Sequence, residues 1–118
     1  MSKRGDLELL HDIKQAIERI LEYTASMTFE EFQEDYKTQD AVFRNFEIIG
    51  EATKNISSVA KHKIKDIPWQ KMAKFRDKLV HHYFGLDVEI VWKIIEDFLP
   101  SLDSQIQGTI SIYDEPTL

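Results

Sequence analysis

Apolar residues in this chain return at steps of three and four, and that spacing constrains its fold more than any other feature. Leu9, Leu10, Ile13, Ala16, Ile17, Ile20 and Leu21 form one stripe, the pattern of a helix with one face turned to a core. Ala41, Val42, Phe46, Ile49, Ala52, Ile56 and Val59 form a second, which predicts a long helix from about Thr38 to Ala60. A third helix follows Pro68, with Met72, Phe75 and Leu79 inward and its lysines outward. Val88, Val91, Trp92, Ile95, Phe98, Leu99, Leu102 and Ile106 make the fourth stripe. No segment sustains the alternation of a strand, and only 4 Gly and 3 Pro stand among 118 residues, so turns are few. The expectation is an all-α, up-and-down bundle of four to five helices. One helical domain, residues 1–107, is followed by a loose tail, residues 108–118.

Local signals refine this. Asp6 is placed to cap the first helix, and Thr28 with Glu31 fits a capping box. Pro68 suits a first helical position, where its missing N–H is harmless, and Asp87 suits a cap. Gly85 is the expected left-handed terminator of the third helix. Pro100, inside the fourth stripe, predicts a kink or break. Gly50 inside the second helix costs about 1 kcal/mol relative to alanine, which predicts close packing against a neighbour.

With 42% apolar residues and no cysteine, the chain can build a core but no disulfide framework, thiolate zinc site or cysteine nucleophile. Its start, Met1 to Glu8, turns acidic at once and lacks an apolar signal core, and the sequence holds no run long enough to span a membrane. The expectation is a soluble, cytoplasmic protein.

Charge is unevenly spread. The total is −6, yet Lys54 to Lys78 holds eight positive residues against Asp66 and Asp77. The rest of the chain is strongly acidic. A basic band on an acidic body attracts a polyanion to one face. A merely solvated helix face remains the alternative.

The chemistry-bearing residues gather at the end of the third helix, in Phe75-Arg76-Asp77-Lys78-Leu79-Val80-His81-His82-Tyr83-Phe84-Gly85. Arginine clamps phosphate through its planar fork, and histidine carries protons near neutrality. Such a group suits phosphodiester cleavage without a metal. Tyr83, seven residues past Arg76, nearly eclipses it on a helix, whereas His81 stands about 140° round. The two therefore converge only if Arg76 reaches along the last turn or two helix ends meet across a dimer. A packed histidine and an interface tyrosine are the plainer alternative. The chain lacks a Gly-rich phosphate loop, a His-Glu-x-x-His motif and a nucleophile elbow, and no metal site is expected.

Arg76, four residues, His81, one residue, Tyr83 resembles the Arg-x4-His-x-Tyr motif of HepT-like toxins in the HEPN superfamily. Leu10 to Ile17 is similar to that family's first helix and Phe43 to Ala52 to its second. Pro68-Trp69 and Tyr83 to Asp87 resemble the flanks of its motif, and the match spans roughly Leu9 to Ile106. Asp77 stands where Asn is more usual, which bears on rate or specificity rather than membership.

The resemblance implies a dimeric helical bundle in which two motifs face one cleft. It implies a metal-independent endoribonuclease that is the toxin of a toxin–antitoxin pair. The partner would be a small nucleotidyltransferase antitoxin that transfers AMP from ATP to Tyr83. In a fitting mechanism His81 is general base or acid and Arg76 stabilises charge on the phosphate. Asp77 and His82 are candidate supporting residues, and Lys71, Lys74 and Lys78 a candidate RNA-binding face. No bound cofactor is expected. The competing reading is a non-catalytic module that binds a nucleotide or scaffolds the nucleotidyltransferase.

Overall fold

Burying the predicted stripes brings seven helices together among the described residues, 5–82 and 87–114, of a computed structural model. They are α1 (Asp6–Thr24), α2 (Phe29–Glu34), α3 (Tyr36–Asn55), α4 (Ser58–Lys63), α5 (Trp69–His82), α6 (Val88–Asp97) and α7 (Leu99–Asp114). The expected all-α architecture is what the chain forms. α3 lies between α1 and α5, α7 runs along α1, and short α2 bridges α3 and α6. Leu10, Ile13, Ile17 and Ile20 of α1 are sealed against Val42, Leu102 and Ile106 in one core. Phe46 of α3 meets Phe75 of α5 edge to face at 5.1 Å, a favoured aromatic geometry. Lys14 on α1 donates to Asp103 on α7 at 2.9 Å.

Several local expectations hold. Thr28 and Glu31 form the reciprocal capping box at the head of α2, and the Asp87 carboxylate caps α6 by accepting from the Glu89 N–H. The fourth stripe does break, at Phe98, so that α6 ends and α7 begins there. Pro100 thereby falls in the first turn of α7, where a missing donor is tolerated.

Other expectations are corrected. The second helix stops at Asn55, because Ile56 is extended (ψ 139°) and Ser57 caps a separate helix by accepting from the Ala60 N–H. That restart turns Val59 outward to 76% exposure, so it is not a core position. Lys61, His62 and Lys63 form the last turn of α4. Gly5, not Asp6, is the N-cap residue of α1. The Asp6 carboxylate instead accepts from the Ser57 N–H at 2.9 Å and the Ser57 hydroxyl at 2.6 Å, tying α1 to the head of α4. Helix α5 starts at Trp69, one residue after Pro68. The segment expected as a tail from Gly108 continues α7 to Asp114 and buries Thr109 and Ile110. Gly85 lies outside the described residues.

Candidate functional site

Helix α5 is seated by its first residue and its buried face. The indole N–H of Trp69 donates to the Ile64 carbonyl at 2.8 Å, while Met72 and Leu79 point into the core. Fixing those positions turns Arg76 toward α3. There Gly50 supplies the space: a Cβ at Gly50 would stand 2.0 Å from the Arg76 Cβ and 2.5 Å from its Cγ. The close approach expected of Gly50 is thus to the candidate catalytic arginine itself. A glycine lets the backbone of α3 come where any other residue would push α5 away.

The Arg76 stem crosses Gly50 and its head is held by carboxylates. Nη2 is 2.9 Å from Glu51 Oε2 on α3, and Nη1 is 3.5 Å from Asp77 Oδ1 on its own helix. Nε is buried and makes no hydrogen bond. The side chain keeps 28% exposure, so the guanidinium remains reachable. Guanidinium carries two N–H bonds on each terminal nitrogen, and here each terminal nitrogen meets one carboxylate.

Asp77 has a second partner. Lys54, one helical turn beyond Gly50, donates to Asp77 Oδ1 at 2.5 Å. That hydrogen bond and the Lys54 charge, with a further contribution from Arg76, hold the Asp77 carboxyl below the usual carboxylate range. The pair therefore persists at neutral pH and is lost as acidification passes below that range. Two opposite ion pairs, Glu51–Arg76 and Lys54–Asp77, line the seam between α3 and α5.

Arg76 closes one side of a recess of about 460 Å³ between α1, α3 and α5. Asp12, Arg44, Glu47, Glu51 and Asn55 supply its polar lining. Lys71, Lys74 and Lys78 are elsewhere, at the rim of a hollow of about 480 Å³ floored by Phe46, Ile49, Met72, Phe75 and Phe98. Arg76 and the three lysines thus occupy different surfaces of α5, and the lysines do not line the Arg76 recess. His81 and His82 are the last two residues of α5. Tyr83 lies outside the described residues. No group of three or more metal-ligating side chains gathers among the described residues, and no described helix is long and apolar enough to cross a membrane.

Sequence reasoning brought Arg76 and Asp77 to one place but missed Glu51 and Lys54. The available signal was the mid-helix glycine: Glu51 follows it directly and Lys54 lies one turn on, where their charges complement those of Arg76 and Asp77.

Comparison with known proteins bears on the chemistry this site supports. Residues 13–108 match the family model described as "Ribonuclease HepT-like". A protein of Thermococcus cleftensis named "Probable ribonuclease HepT" is 49% identical over 105 residues, covering 89% of this chain and 96% of that one. A Methanocaldococcus jannaschii relative whose name carries the term RNase is 43% identical over 110 residues, with 93% and 91% covered. No solved structure matches. A match over most of the chain, with Arg76, His81 and Tyr83 at the spacing of the motif, places this protein in the HepT-like ribonuclease family.

Proposed function

We propose that this protein is an endoribonuclease that cleaves RNA without a metal ion and serves as the toxin of a toxin–antitoxin pair. The observation that carries this reading is Arg76: a guanidinium anchored on one edge and 28% exposed, in a chain whose relatives bear ribonuclease names. In the reaction, the RNA 2′-hydroxyl attacks the adjacent phosphorus. A 2′ O–P bond forms, the P–O5′ bond breaks, and a cyclic phosphate and a free 5′-hydroxyl result. His81 takes the 2′-hydroxyl proton or returns one to the leaving oxygen, while Arg76 stabilises the charge growing on the phosphate. Asp77 and His82 support that pair, and Lys71, Lys74 and Lys78 hold flanking phosphates on the neighbouring surface.

The offset between Arg76 and His81 supports a homodimer in which two copies of α5 build one cleft. Across such a cleft, Arg76 of one protomer serves with His81 of the other.

Purified protein in excess chelator is expected to cleave a single-stranded RNA and to run as a dimer by light scattering. His81→Ala should retain its melting temperature and lose about 10²–10⁴-fold in rate, the usual cost of a removed general base. A chelated preparation that never cuts RNA would instead favour the non-catalytic scaffold.

Regulation follows from Tyr83, seven residues past Arg76. A nucleotidyltransferase antitoxin given ATP and magnesium transfers AMP to its hydroxyl with release of pyrophosphate, adding bulk and negative charge to the motif. Intact-mass spectrometry of the protein treated with its partner should show AMP increments located on Tyr83, with cleavage lost in parallel. Silencing that survives Tyr83→Phe would refute this control while leaving the nuclease assignment intact.

A further inference from the structure

Glu51 lies outside the Arg-x4-His-x-Tyr motif, yet among the described residues it makes the shorter of two carboxylate contacts to the Arg76 guanidinium, 2.9 Å from Oε2 to Nη2. Its side chain is 59% exposed. Ion pairs in such settings contribute little to stability, so the contact is a poor device for holding the bundle together. It is a good device for aiming a side chain. Arginine has several rotatable bonds and needs a fixed plane before it can grip a phosphate through parallel N–H groups. Three features fix that plane here. Gly50 confines the Cβ and Cγ, burial confines Nε, and Glu51 sets the rotation of the guanidinium from the α3 side. Lys54 completes the set by drawing Asp77 Oδ1 toward itself at 2.5 Å, leaving that oxygen 3.5 Å from Arg76 Nη1. Glu51 is thereby the strong partner of Arg76 and Asp77 the weak one. Where a neutral Asn would need no such counter-charge, Lys54 balances the aspartate in this chain.

We propose that Glu51 is a positioning residue for the ribonuclease reaction, orienting Arg76 for the phosphate, with Lys54 keeping Asp77 from capturing the same guanidinium. This inference rests on the ribonuclease reading above. Misplacing a catalytic group by about 1 Å costs as much as 10²-fold in rate, and a released Arg76 that swings toward Asp77 is misplaced by that order.

The test measures cleavage of a single-stranded RNA by the full chain in chelator, at saturating and sub-saturating RNA, for the parent, Glu51→Gln, Glu51→Ala and Arg76→Ala. Glu51→Ala should lower kcat about 10–100-fold and change KM little. Glu51→Gln, which keeps the shape and one acceptor oxygen, should lose less. Melting temperatures of both should stay near the parent, and the ¹⁵N–¹H resonance of Arg76 Nε should broaden or move in both. A merely structural role would shift melting and leave kcat alone. Should Glu51→Ala unfold, the isosteric Glu51→Gln carries the result. Parent-like kcat in both Glu51 variants, with Arg76→Ala inactive, would overturn the inference and spare the nuclease. A parent protein that fails to cleave RNA would overturn both.

Discussion

The Gly50→Ala protein is expected to melt on the order of 10 °C below its parent, although alanine is the better helix former. The added methyl would stand 2.0 Å from the Arg76 Cβ and 3.3 Å from its Cα, against an optimum of about 3.5–4.0 Å for carbon pairs. Neither atom is the free end of a flexible side chain, so a whole helix must move. Separating α3 from α5 opens the seam at Phe46, Ile49, Met72 and Phe75. Overpacking of this kind costs about 1–3 kcal/mol and occasionally more, and the propensity gain returns only about 1. Calorimetry of Gly50→Ala, Arg76→Gly and the double variant checks the cause directly. If the two positions share one volume, the double variant should melt higher than the sum of the single losses allows. A Gly50→Ala protein that melts with its parent would show that the helices do not meet this closely.

Arg76→Ala should do the reverse, leaving the fold and removing the activity. Alanine keeps the Cβ that fits against Gly50 and gives up the guanidinium. Glu51, already 59% exposed, is left in water rather than stranded, and Asp77 keeps Lys54. Unfolding free energy should therefore change by about 1 kcal/mol, the scale of a substitution outside the sealed core. RNA cleavage should fall about 10²–10³-fold or more, as when a donor to a developing oxyanion is removed. Arg76→Lys is the informative companion: it restores a positive charge without the planar fork and should recover only a small part of the rate. Cleavage at the parent rate by a folded Arg76→Ala would place the catalytic centre elsewhere.

Much of the fold is written in local spacing. The stripes, the Thr28–Glu31 box, the Asp87 cap and the break near Pro100 each depend on residues a few positions apart, and each could be read from them; the glycine inside a helix marked the tight place at Gly50 but not its partner. What local spacing could not supply was competition between distant partners. Asp6 looked like a cap, but the N–H and hydroxyl of Ser57, 51 residues away, take its carboxylate. Ile56 continued a helical stripe, yet the chain extends there because Ser57 restarts it. The segment from Gly108 read as a loose tail, but Ile110 finds the core. The candidate site divides the same way. Arg76 stood out by composition, whereas Glu51 and Lys54 are ordinary charges on α3 until that helix is laid against α5. The separation of Lys71, Lys74 and Lys78 from Arg76 likewise follows from how α5 is rotated, which its buried residues decide.

The link between Lys14 and Asp103, 2.9 Å apart across 89 residues of sequence, has a consequence for how the chain is made. Helix α1 leaves the ribosome before the other described helices, and α7 leaves after them. Until α7 arrives, Leu10, Ile13 and Ile17 have only part of the cover that seals them in the finished bundle. The nascent chain therefore carries an unshielded apolar strip from the emergence of α1 until α7 follows, and this bundle closes only then. Premature termination before α7 would yield a sticky fragment, not a smaller working protein.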